Sequence, residues 1–383
     1  MEKNQLLYII KLDQLCQRLV DFQTYMMRAL PVLDTLDRQM PQKPLVFHGR
    51  DDLVEGIAQL LVREETSRVC ILGSGGMGKT AVSLAVVNSP LIKERFPGTD
   101  VVWVPCSKAT SALFLLQALY IQLQISVDKE VTLETIVSEL DSVKQPRLIV
   151  IDNFETPWNG HQERVGVILR RLAMLSHIAI LVTMRENHPP WDEAIEWQSK
   201  YVESTDEAAS LRIYHDHNPE SKNDPDVPRL LTALGHMPFA IELMAKLALE
   251  MKFSAESLLD FWFECGGPDI LSEDPNKESL NRSISLSVES DLVKGNPNAI
   301  FLLATLSLLP AGATEEDLHC WAPELDIPLA IAALSRAALL VVKDEENSGS
   351  PVYFVNPVIR SYMQQHNRIP QEVLKQVHSL SCE

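Results

Sequence analysis

Apolar residues recur at steps of three and four along the first forty positions, which is the spacing of one buried helix face. The stripe runs from Leu6 through Leu15 and Phe22 to Leu30, and Pro31 follows it. We therefore predict an amphipathic helix within residues 1–40. A single helix cannot bury its own apolar stripe, so this one requires a second surface, either the next domain or another chain.

The pattern changes after the prolines at positions 41 and 44, where short β-branched apolar runs begin to alternate with helical stretches. The runs are "RVCIL", "DVVWVPC", "RLIVID", "IAILVTM" and "KYVES", and helical patterns such as "AVSLAVVNSPLIKERF" and "ALFLLQALYIQLQI" lie between them. Apolar strands that alternate with helices are typical of a parallel sheet covered by helices. Residues 41–205 are therefore predicted to form an α/β domain.

Only helical periods follow from residue 206 to residue 268, and "DVPRLLTALGHMPFAIELMAKLAL" is the clearest of them. From residue 269 to residue 383, helices are followed by "ALLVVKDEENSGSPVYFVN", which is typical of two strands around a turn. Helices combined with a hairpin indicate a winged helix. The predicted fold class is thus α/β, with a parallel-sheet domain followed by a small helical domain and a winged-helix domain.

The net charge, the cysteine spacing and the lengths of the apolar runs indicate which kinds of partner the protein is not expected to bind. The formal net charge is -18, so the surface as a whole repels a phosphate backbone, and we predict no nucleic-acid binding. The cysteines form neither a CxxC pair nor a zinc-ligand spacing. The first residues lack the layout of a signal peptide, and no apolar run is long enough to span a bilayer. These observations predict a cytoplasmic protein without a membrane span.

A glycine-rich segment, "GSGGMGKT" at positions 73–80, fits the phosphate-binding pattern G-x-x-x-x-G-K-[ST]. A strand precedes it and a helix follows, as a phosphate-binding loop requires. The glycines let main-chain amides converge on the phosphates, the lysine reaches the β- and γ-phosphate oxygens, and the threonine hydroxyl binds Mg²⁺. The predicted nucleotide-contacting residues are Gly73, Ser74, Gly75, Gly76, Met77, Gly78, Lys79, Thr80 and Ala81. The alternative is a merely flexible glycine-rich turn.

Two carboxylates lie at the end of the strand "RLIVID" and just beyond it. Asp152 ends that strand, and a carboxylate at the carboxyl edge of a parallel sheet is suited to hold Mg²⁺ together with Thr80. Without the upstream loop, the same residue would be interpreted as a helix cap or turn residue. Glu155 is a candidate to orient the water that attacks a phosphate, and the alternative is a loop carboxylate that faces solvent.

Arg185 follows the strand "IAILVTM" directly. If that strand lies beside the loop strand, the guanidinium meets the γ-phosphate and reports its presence. If it does not, Arg185 is a surface residue that pairs with Glu186 or Glu193. The predicted catalytic group is Lys79, Asp152, Glu155 and Arg185.

With these pieces in order, the chain resembles the STAND class of signal-transduction NTPases, and most of all its NB-ARC type as found in fungal NLR-like proteins. The resemblance rests on "FHGRDDLV", "LGSGGMGKT", "LIVIDNFETPW", "LVTMR" and "LGHMPFAIELMAKLA", and it covers roughly residues 45 to 365. It implies that the adenine lies near Phe47, His48, Gly49 and Arg50. It also implies that Pro238 packs on the base, that Arg185 senses the γ-phosphate, and that the "IAILV" strand lies between the loop strand and the Asp152 strand.

The sequence departs from that family pattern at two positions. Many relatives carry a second Asp after the metal-binding one, whereas this chain has Asn153. The C-terminal Met-His-Asp segment of the family, whose His contacts the ADP β-phosphate, aligns with Val355, Asn356 and Pro357. Asn356 is still able to donate a hydrogen bond, but it carries no charge, so we expect a weaker or differently built closed state.

The resemblance implies an ATP/ADP-binding switch that hydrolyses ATP slowly with Mg²⁺, self-associates in its activated state and acts on protein signalling partners. Two alternatives remain open at this point. One is a constitutive ATPase or a phosphotransferase in which Asp152 and Glu155 form the catalytic pair. The other is a protein-interaction module with a decayed nucleotide site.

Overall fold

The computed structural model describes residues 40–63, 67–126, 129–159, 161–264, 284–285, 287–309, 311–321, 324–344, 350–365 and 373. The predicted helix at residues 1–40 therefore lies outside the described residues, apart from Met40. No helix in the ranges just given is both long and apolar enough to cross a membrane.

A five-stranded parallel sheet forms the first half of the described chain. Its strands are β1 (Arg68–Leu72), β2 (Val101–Pro105), β3 (Arg147–Asp152), β4 (Ile178–Met184) and β5 (Gln198–Tyr201). The spatial order is β2-β3-β4-β1-β5, so β4 lies between the loop strand β1 and the Asp152 strand β3, as the resemblance predicted. Strands β1 and β4 are buried along their whole length, which explains why their sequences are mostly apolar and do not alternate with polar residues.

Helices cover both faces of this sheet. They are α1 (Asp51–Leu61), α2 (Lys79–Val87), α3 (Pro90–Arg95), α4 (Ala112–Gln122), α5 (Leu133–Ser142), α6 (Glu155–Trp158) and α7 (Gln162–Ala173). The stretch "AVSLAVVNSPLIKERF" contributes two helices and not one. The helical conformation is interrupted before Ser89, whose side chain caps α3 by accepting a hydrogen bond from the Ile92 amide. Pro90 then occupies the first position of α3.

A helical part follows the sheet. It consists of α8 (Glu207–His217), α9 (Val227–Ala233), α10 (Pro238–Met251) and α11 (Ala255–Glu264). The long apolar period across residues 226–249 is interrupted between α9 and α10. Gly235 and His236 have φ values of 59° and 52°, so the backbone is left-handed there, and Pro238 starts the new helix.

The C-terminal part combines helices with a small antiparallel sheet. The helices are α12 (Asp291–Lys294), α13 (Pro297–Ser307), α14 (Glu315–Trp321), α15 (Ile327–Arg336) and α16 (Pro357–Gln365). The strands are β6 (Ala313–Thr314), β7 (Val341–Asp344) and β8 (Pro351–Phe354), in the order β6-β8-β7. The predicted hairpin is thus present as β7 and β8. The winged-helix interpretation and the domain boundaries at residues 205 and 268 stay predictions.

Two hydrophobic clusters of buried side chains lie on opposite faces of the sheet. One lies on the face covered by α4 and α7 and includes Leu119 and Leu169. The other begins on the opposite face with Ile57 and Val86, continues through Met244 of the helical part, and reaches Leu303 of the C-terminal part. This second cluster joins the helical and C-terminal parts to the sheet, and it holds them next to the loop that follows β1.

Candidate nucleotide-binding site

The loop between β1 and α2 depends on glycine at several positions. Gly73, Gly76 and Gly78 have φ values of 138°, 80° and 91°, a range that side chains with a Cβ rarely adopt. A Cβ on Gly73 would also lie 2.5 Å from the carbonyl oxygen of Val202. Gly78 is the N-cap of α2, so the loop delivers its backbone amides to the N-terminus of that helix. A helix N-terminus of this kind favours anionic groups.

Lys79 is folded back onto the loop. Its Nζ donates hydrogen bonds to the carbonyl oxygens of Gly73, at 2.6 Å, and Ser74, at 2.8 Å. The side chain is buried, and burial lowers the pKa of its ammonium group from 10.5 to about 8, although the negative charge of Glu155 opposes this effect. The ammonium group of Lys79 is thus hydrogen-bonded to two carbonyl oxygens of the loop. It places a positive charge where a phosphate bound by the loop would lie.

Thr80 and Asp152 meet at the carboxyl edge of the sheet. The Thr80 hydroxyl lies 3.0 and 3.1 Å from the two oxygens of the Asp152 carboxylate, and Thr183 donates a hydrogen bond of 2.7 Å to its Oδ1. Burial raises the pKa of Asp152 to about 6, while the hydrogen bonds from the two threonines act to lower it. Hydroxyl and carboxylate oxygens are ligands that Mg²⁺ prefers, so these two side chains fit that ion.

The described residues contain no cluster of three or more His, Cys, Asp or Glu side chains with the spacing of a metal site. Mg²⁺ sites in nucleotide-binding proteins commonly take only a few oxygens from the protein, and a phosphate supplies others.

Arg185 and Glu155 form an ion pair, with Nε and Oε1 3.1 Å apart. The side chains are 12% and 13% exposed, so Glu155 is not the solvent-facing carboxylate that the sequence left open. The ion pair of Arg185 is therefore formed with Glu155, and neither Glu186 nor Glu193 takes part in it. Because β3 and β4 are neighbours in the sheet, the residues that follow them are brought together beside the loop.

A cavity of about 310 Å³ opens next to the loop. The predicted site residues that line it are Phe47, His48, Arg50, Gly75, Gly76, Met77, Gly78, Lys79, Thr80, Ala81, Arg185 and Pro238. They come from the segment before α1, from the loop with α2, from the end of β4 and from the start of α10. Residues that are far apart in sequence thus share one cavity, and its volume falls at the lower end of the range for small-molecule sites.

The segment before α1 is held in place by its polar side chains. His48 Nε2 lies 2.7 Å from Asp216 Oδ2, and the Arg50 guanidinium donates a hydrogen bond to the carbonyl oxygen of Glu203. Gly49 does not line the cavity. Its φ is +70°, and a Cβ there would lie 2.5 Å from the Cβ of Ala209, so it allows this segment to pack closely on α8.

The cavity wall does not include Asn356. Its Oδ1 accepts a hydrogen bond of 3.0 Å from the Val358 amide at the start of α16, and the residue packs against the turn at Gly235. A contact between Asn356 and a nucleotide therefore stays a prediction. The cavity lining also does not include four other predicted residues, namely Gly73, Ser74, Asp152 and Glu155.

Sequence reasoning missed the wall that the helical part contributes. Thr205, Ile213, His217, Phe239 and Glu242 line the cavity. Ile213 and His217 are one helical turn apart on α8, and Pro238 and Glu242 are one turn apart on α10. The i, i+4 spacing is the only signal present, and it does not distinguish a cavity wall from an ordinary packed face.

Comparison with known proteins identifies a family whose members are similar to the part of the chain that contains the phosphate-binding loop. The model of the NB-ARC domain family matches residues 50–188. No curated protein sequence matches the chain. Among solved structures, the Walker-type ATPase of Pyrococcus abyssi is 14% identical, with a TM-score of 0.58, and the match covers 87% of this chain and 99% of that protein. This likeness concerns the fold alone.

A second similar structure is a STAND protein with a tetratricopeptide repeat sensor from Pyrococcus horikoshii. It is 16% identical, with a TM-score of 0.36, and the match covers 90% of this chain and 47% of that protein. The family match spans the phosphate-binding loop, the Asp152 strand and the strand that ends at Arg185, which are the elements that build the cavity. Residues 50–188 are therefore similar to NB-ARC domains over the segments that build the cavity.

Proposed function

We propose that the protein is a STAND-type molecular switch that binds ATP and ADP with Mg²⁺ and changes conformation with the bound nucleotide. The observation that carries the proposal is the composition of the cavity wall. The loop and Lys79 line part of the cavity, and α8 and α10 of the helical part line another part of it. A ligand in this cavity contacts two parts of the chain at once, so its identity is able to bias how they sit together.

The residues that line the cavity include groups suited to the phosphates and groups suited to the base of a nucleotide. The amides of the loop and the start of α2 favour the phosphates, and Lys79 supplies a positive charge. Phe47, from the segment before α1, and Pro238 and Phe239, from α10, provide apolar surface for a base. Thr80 and Asp152 would hold Mg²⁺, which when bound neutralises part of the phosphate charge.

The pair between Arg185 and Glu155 favours slow turnover. While the guanidinium is bound to Glu155, neither side chain is available for the task that hydrolysis would require of it. Arg185 would have to turn toward the γ-phosphate, and Glu155 would have to orient a water molecule. We expect this exchange of partners to occur with ATP and not with ADP. Self-association in the ATP state and binding of protein signalling partners belong to the same proposal.

Removal of the Lys79 charge tests nucleotide binding. We expect Lys79→Ala to abolish ADP and ATP binding, measured by calorimetry in the presence of Mg²⁺ and by chromatography of nucleotide released from the denatured, purified protein. Lys93→Ala is the matched control, because Lys93 lies on the surface of α3 away from the cavity. Binding by Lys79→Ala at wild-type affinity would contradict the proposal, provided that thermal unfolding shows both variants folded.

The rate of ATP hydrolysis distinguishes the switch from a constitutive enzyme. We expect a single bound ATP to be hydrolysed over minutes, and we expect light scattering to detect larger assemblies with ATP than with ADP. Turnover of many ATP molecules per second by the isolated protein, with the same mass in both nucleotides, would favour the constitutive ATPase.

A further inference from the structure

The end of α15 touches the phosphate-binding loop directly. The Ser74 hydroxyl donates a hydrogen bond to the carbonyl oxygen of Ala338, a residue 264 positions away. The Asn187 amide, just beyond β4, donates a hydrogen bond of 3.1 Å to the carbonyl oxygen of Arg336. Ala338 is 3% exposed and has a φ of 53°, so the chain turns sharply there while it is enclosed against the loop.

Ser74 also contacts the lysine that is expected to bind phosphate. Its carbonyl oxygen accepts the hydrogen bond of 2.8 Å from Lys79 Nζ. Ser74 thus connects to Lys79 through its main chain and to the C-terminal part through its side chain. The phosphate-binding pattern places no requirement on the side chain at this position, so the contact to Ala338 is a property of this chain.

The charges of Glu186 and Arg336 also favour the contact between residues 336–338 and the phosphate-binding loop. Glu186 is 4% exposed, and the positive charge of Arg336 acts on its carboxylate. The carbonyl oxygen of Glu186 accepts a hydrogen bond of 3.1 Å from the amide of Gly73, the first glycine of the loop. Residues 336–338 therefore meet the loop through hydrogen bonds to Ser74 and Asn187 and through the charge of Glu186. Asn356, the position from which the resemblance implied control of the closed state, does not take part.

We infer that Ser74 is a positioning residue that couples Lys79 to the C-terminal part of the chain. Its hydroxyl holds residues 336–338 on the loop while its carbonyl oxygen holds Lys79. An ammonium group has three N–H donors, and two of them are engaged with loop carbonyl oxygens, at Gly73 and Ser74. A phosphate that draws Lys79 away from Ser74 changes the loop at the residue to which Ala338 is bound. This inference rests on the proposed nucleotide binding and adds the route by which it reaches the C-terminal part.

The test compares Ser74→Ala with Ser74→Thr, which keeps a hydroxyl. One measurement is the rate at which a fluorescent ADP analogue leaves the protein. The other is hydrogen exchange of the backbone amides in residues 334–340. Loss of one hydrogen bond of ordinary strength corresponds to about a five-fold effect. We therefore expect Ser74→Ala to release ADP about five-fold faster and to raise exchange in that segment by a similar factor, and we expect Ser74→Thr to restore both.

Two further variants separate coupling from general destabilisation. Arg336→Gln acts from the other side of the contact, outside the loop, and we expect it to raise exchange of residues 334–340 as well. Ser142→Ala is the matched control, because the Ser142 hydroxyl also donates to a backbone carbonyl oxygen, that of Glu139, on an exposed helix end. We expect wild-type values for Ser142→Ala in both measurements.

Wild-type ADP release and wild-type exchange in Ser74→Ala would overturn the coupling, while ADP binding by the parent protein would leave the proposed function intact. If the parent protein binds no ADP, the proposed function fails. The exchange measurement still decides whether Ser74 holds residues 334–340. If Ser74→Ala does not fold, the parent protein decides the coupling, because exchange of residues 334–340 that is the same with and without saturating ADP contradicts it.

Discussion

Arg185 and Glu155 are bound to each other, Nε to Oε1 at 3.1 Å, at the edge of the cavity where the chemistry of a γ-phosphate would take place. The other oxygen of Glu155, Oε2, is buried and has no hydrogen-bond partner among the described residues. One oxygen of this carboxylate is therefore satisfied by Arg185, and the other is enclosed without a hydrogen-bond donor from the described part of the chain.

This pair predicts an asymmetric response to mutation. Arg185→Ala leaves a mostly buried carboxylate without its counterion, and we expect a loss of about 3 kcal/mol in the free energy of unfolding. Arg185→Ala combined with Glu155→Ala removes both charges, so we expect the double variant to be more stable than Arg185→Ala alone. Urea unfolding of the four proteins in the cycle measures the coupling. Additive losses would mean that the two side chains do not interact in solution.

Thr183 predicts a link between stability and metal binding. Its hydroxyl donates to Asp152 Oδ1 at 2.7 Å and accepts from the Asn153 amide at 2.9 Å. Thr183→Val keeps the shape but leaves both groups without this partner, so we expect a loss of about 1–3 kcal/mol in stability. We also expect ADP binding to require more Mg²⁺, because the Asp152 carboxylate loses a group that orients it.

The control for that experiment is Thr183→Ser, which retains the hydroxyl. We expect it to lie close to the parent protein in both the urea midpoint and the Mg²⁺ concentration at half-saturation. A valine variant that behaves like the serine variant would show that the hydroxyl has no such role.

The sequence was sufficient to predict the sheet and the meeting of Thr80 with Asp152. Apolar runs without polar alternation indicated buried parallel strands, and parallel strands place their carboxyl ends at one edge. The loop pattern then put Thr80 at the same edge. Both predictions depend on short-range patterns plus one topological rule, and that is why they hold.

Other parts of the site were beyond the reach of pattern reasoning. The partner of Arg185 depends on how the chain turns after Asp152, where Asn153 adopts a φ of 59° that nothing in the local sequence requires. The bond from Ser74 to Ala338 joins residues 264 positions apart and depends on how three parts of the chain pack. Side-chain contacts of this kind follow from tertiary packing, which periodicity does not encode.

We expect the substitution Gly73→Ala to lower the free energy of unfolding strongly. The φ of 138° at this position is strained for alanine, and the new Cβ would lie 2.5 Å from the backbone oxygen of Val202, which cannot move without shifting the end of β5. Gly98 also has a positive φ, +60°, but a Cβ there meets nothing within 4 Å. We expect Gly98→Ala to cost about 1 kcal/mol and Gly73→Ala about 3 kcal/mol or more in unfolding free energy. Equal losses in thermal or urea unfolding would show that the steric contact is absent.

Glu186 predicts how stability depends on pH. Burial raises the pKa of this carboxyl from 4.5 to about 7, the charge of Arg336 opposes that rise, and the charge of Glu155 adds to it. The folded protein therefore holds this proton more tightly than the unfolded chain. As the pH increases from about 4.5 to about 7, the unfolded chain ionises first, so the free energy of unfolding falls across this window. A shift of this size corresponds to about 3 kcal/mol.

Glu186→Gln removes that titration and leaves the other ionisable groups in place. We expect the parent protein to lose up to about 3 kcal/mol more stability than Glu186→Gln when urea unfolding at pH 5 is compared with urea unfolding at pH 8. Glu94→Gln, at an exposed position on α3, serves as the control and should follow the parent protein at both values. If the parent and Glu186→Gln change by the same amount between pH 5 and pH 8, the Glu186 carboxyl is already ionised at pH 5 and is not protonated by its burial beside Gly73 and Arg336.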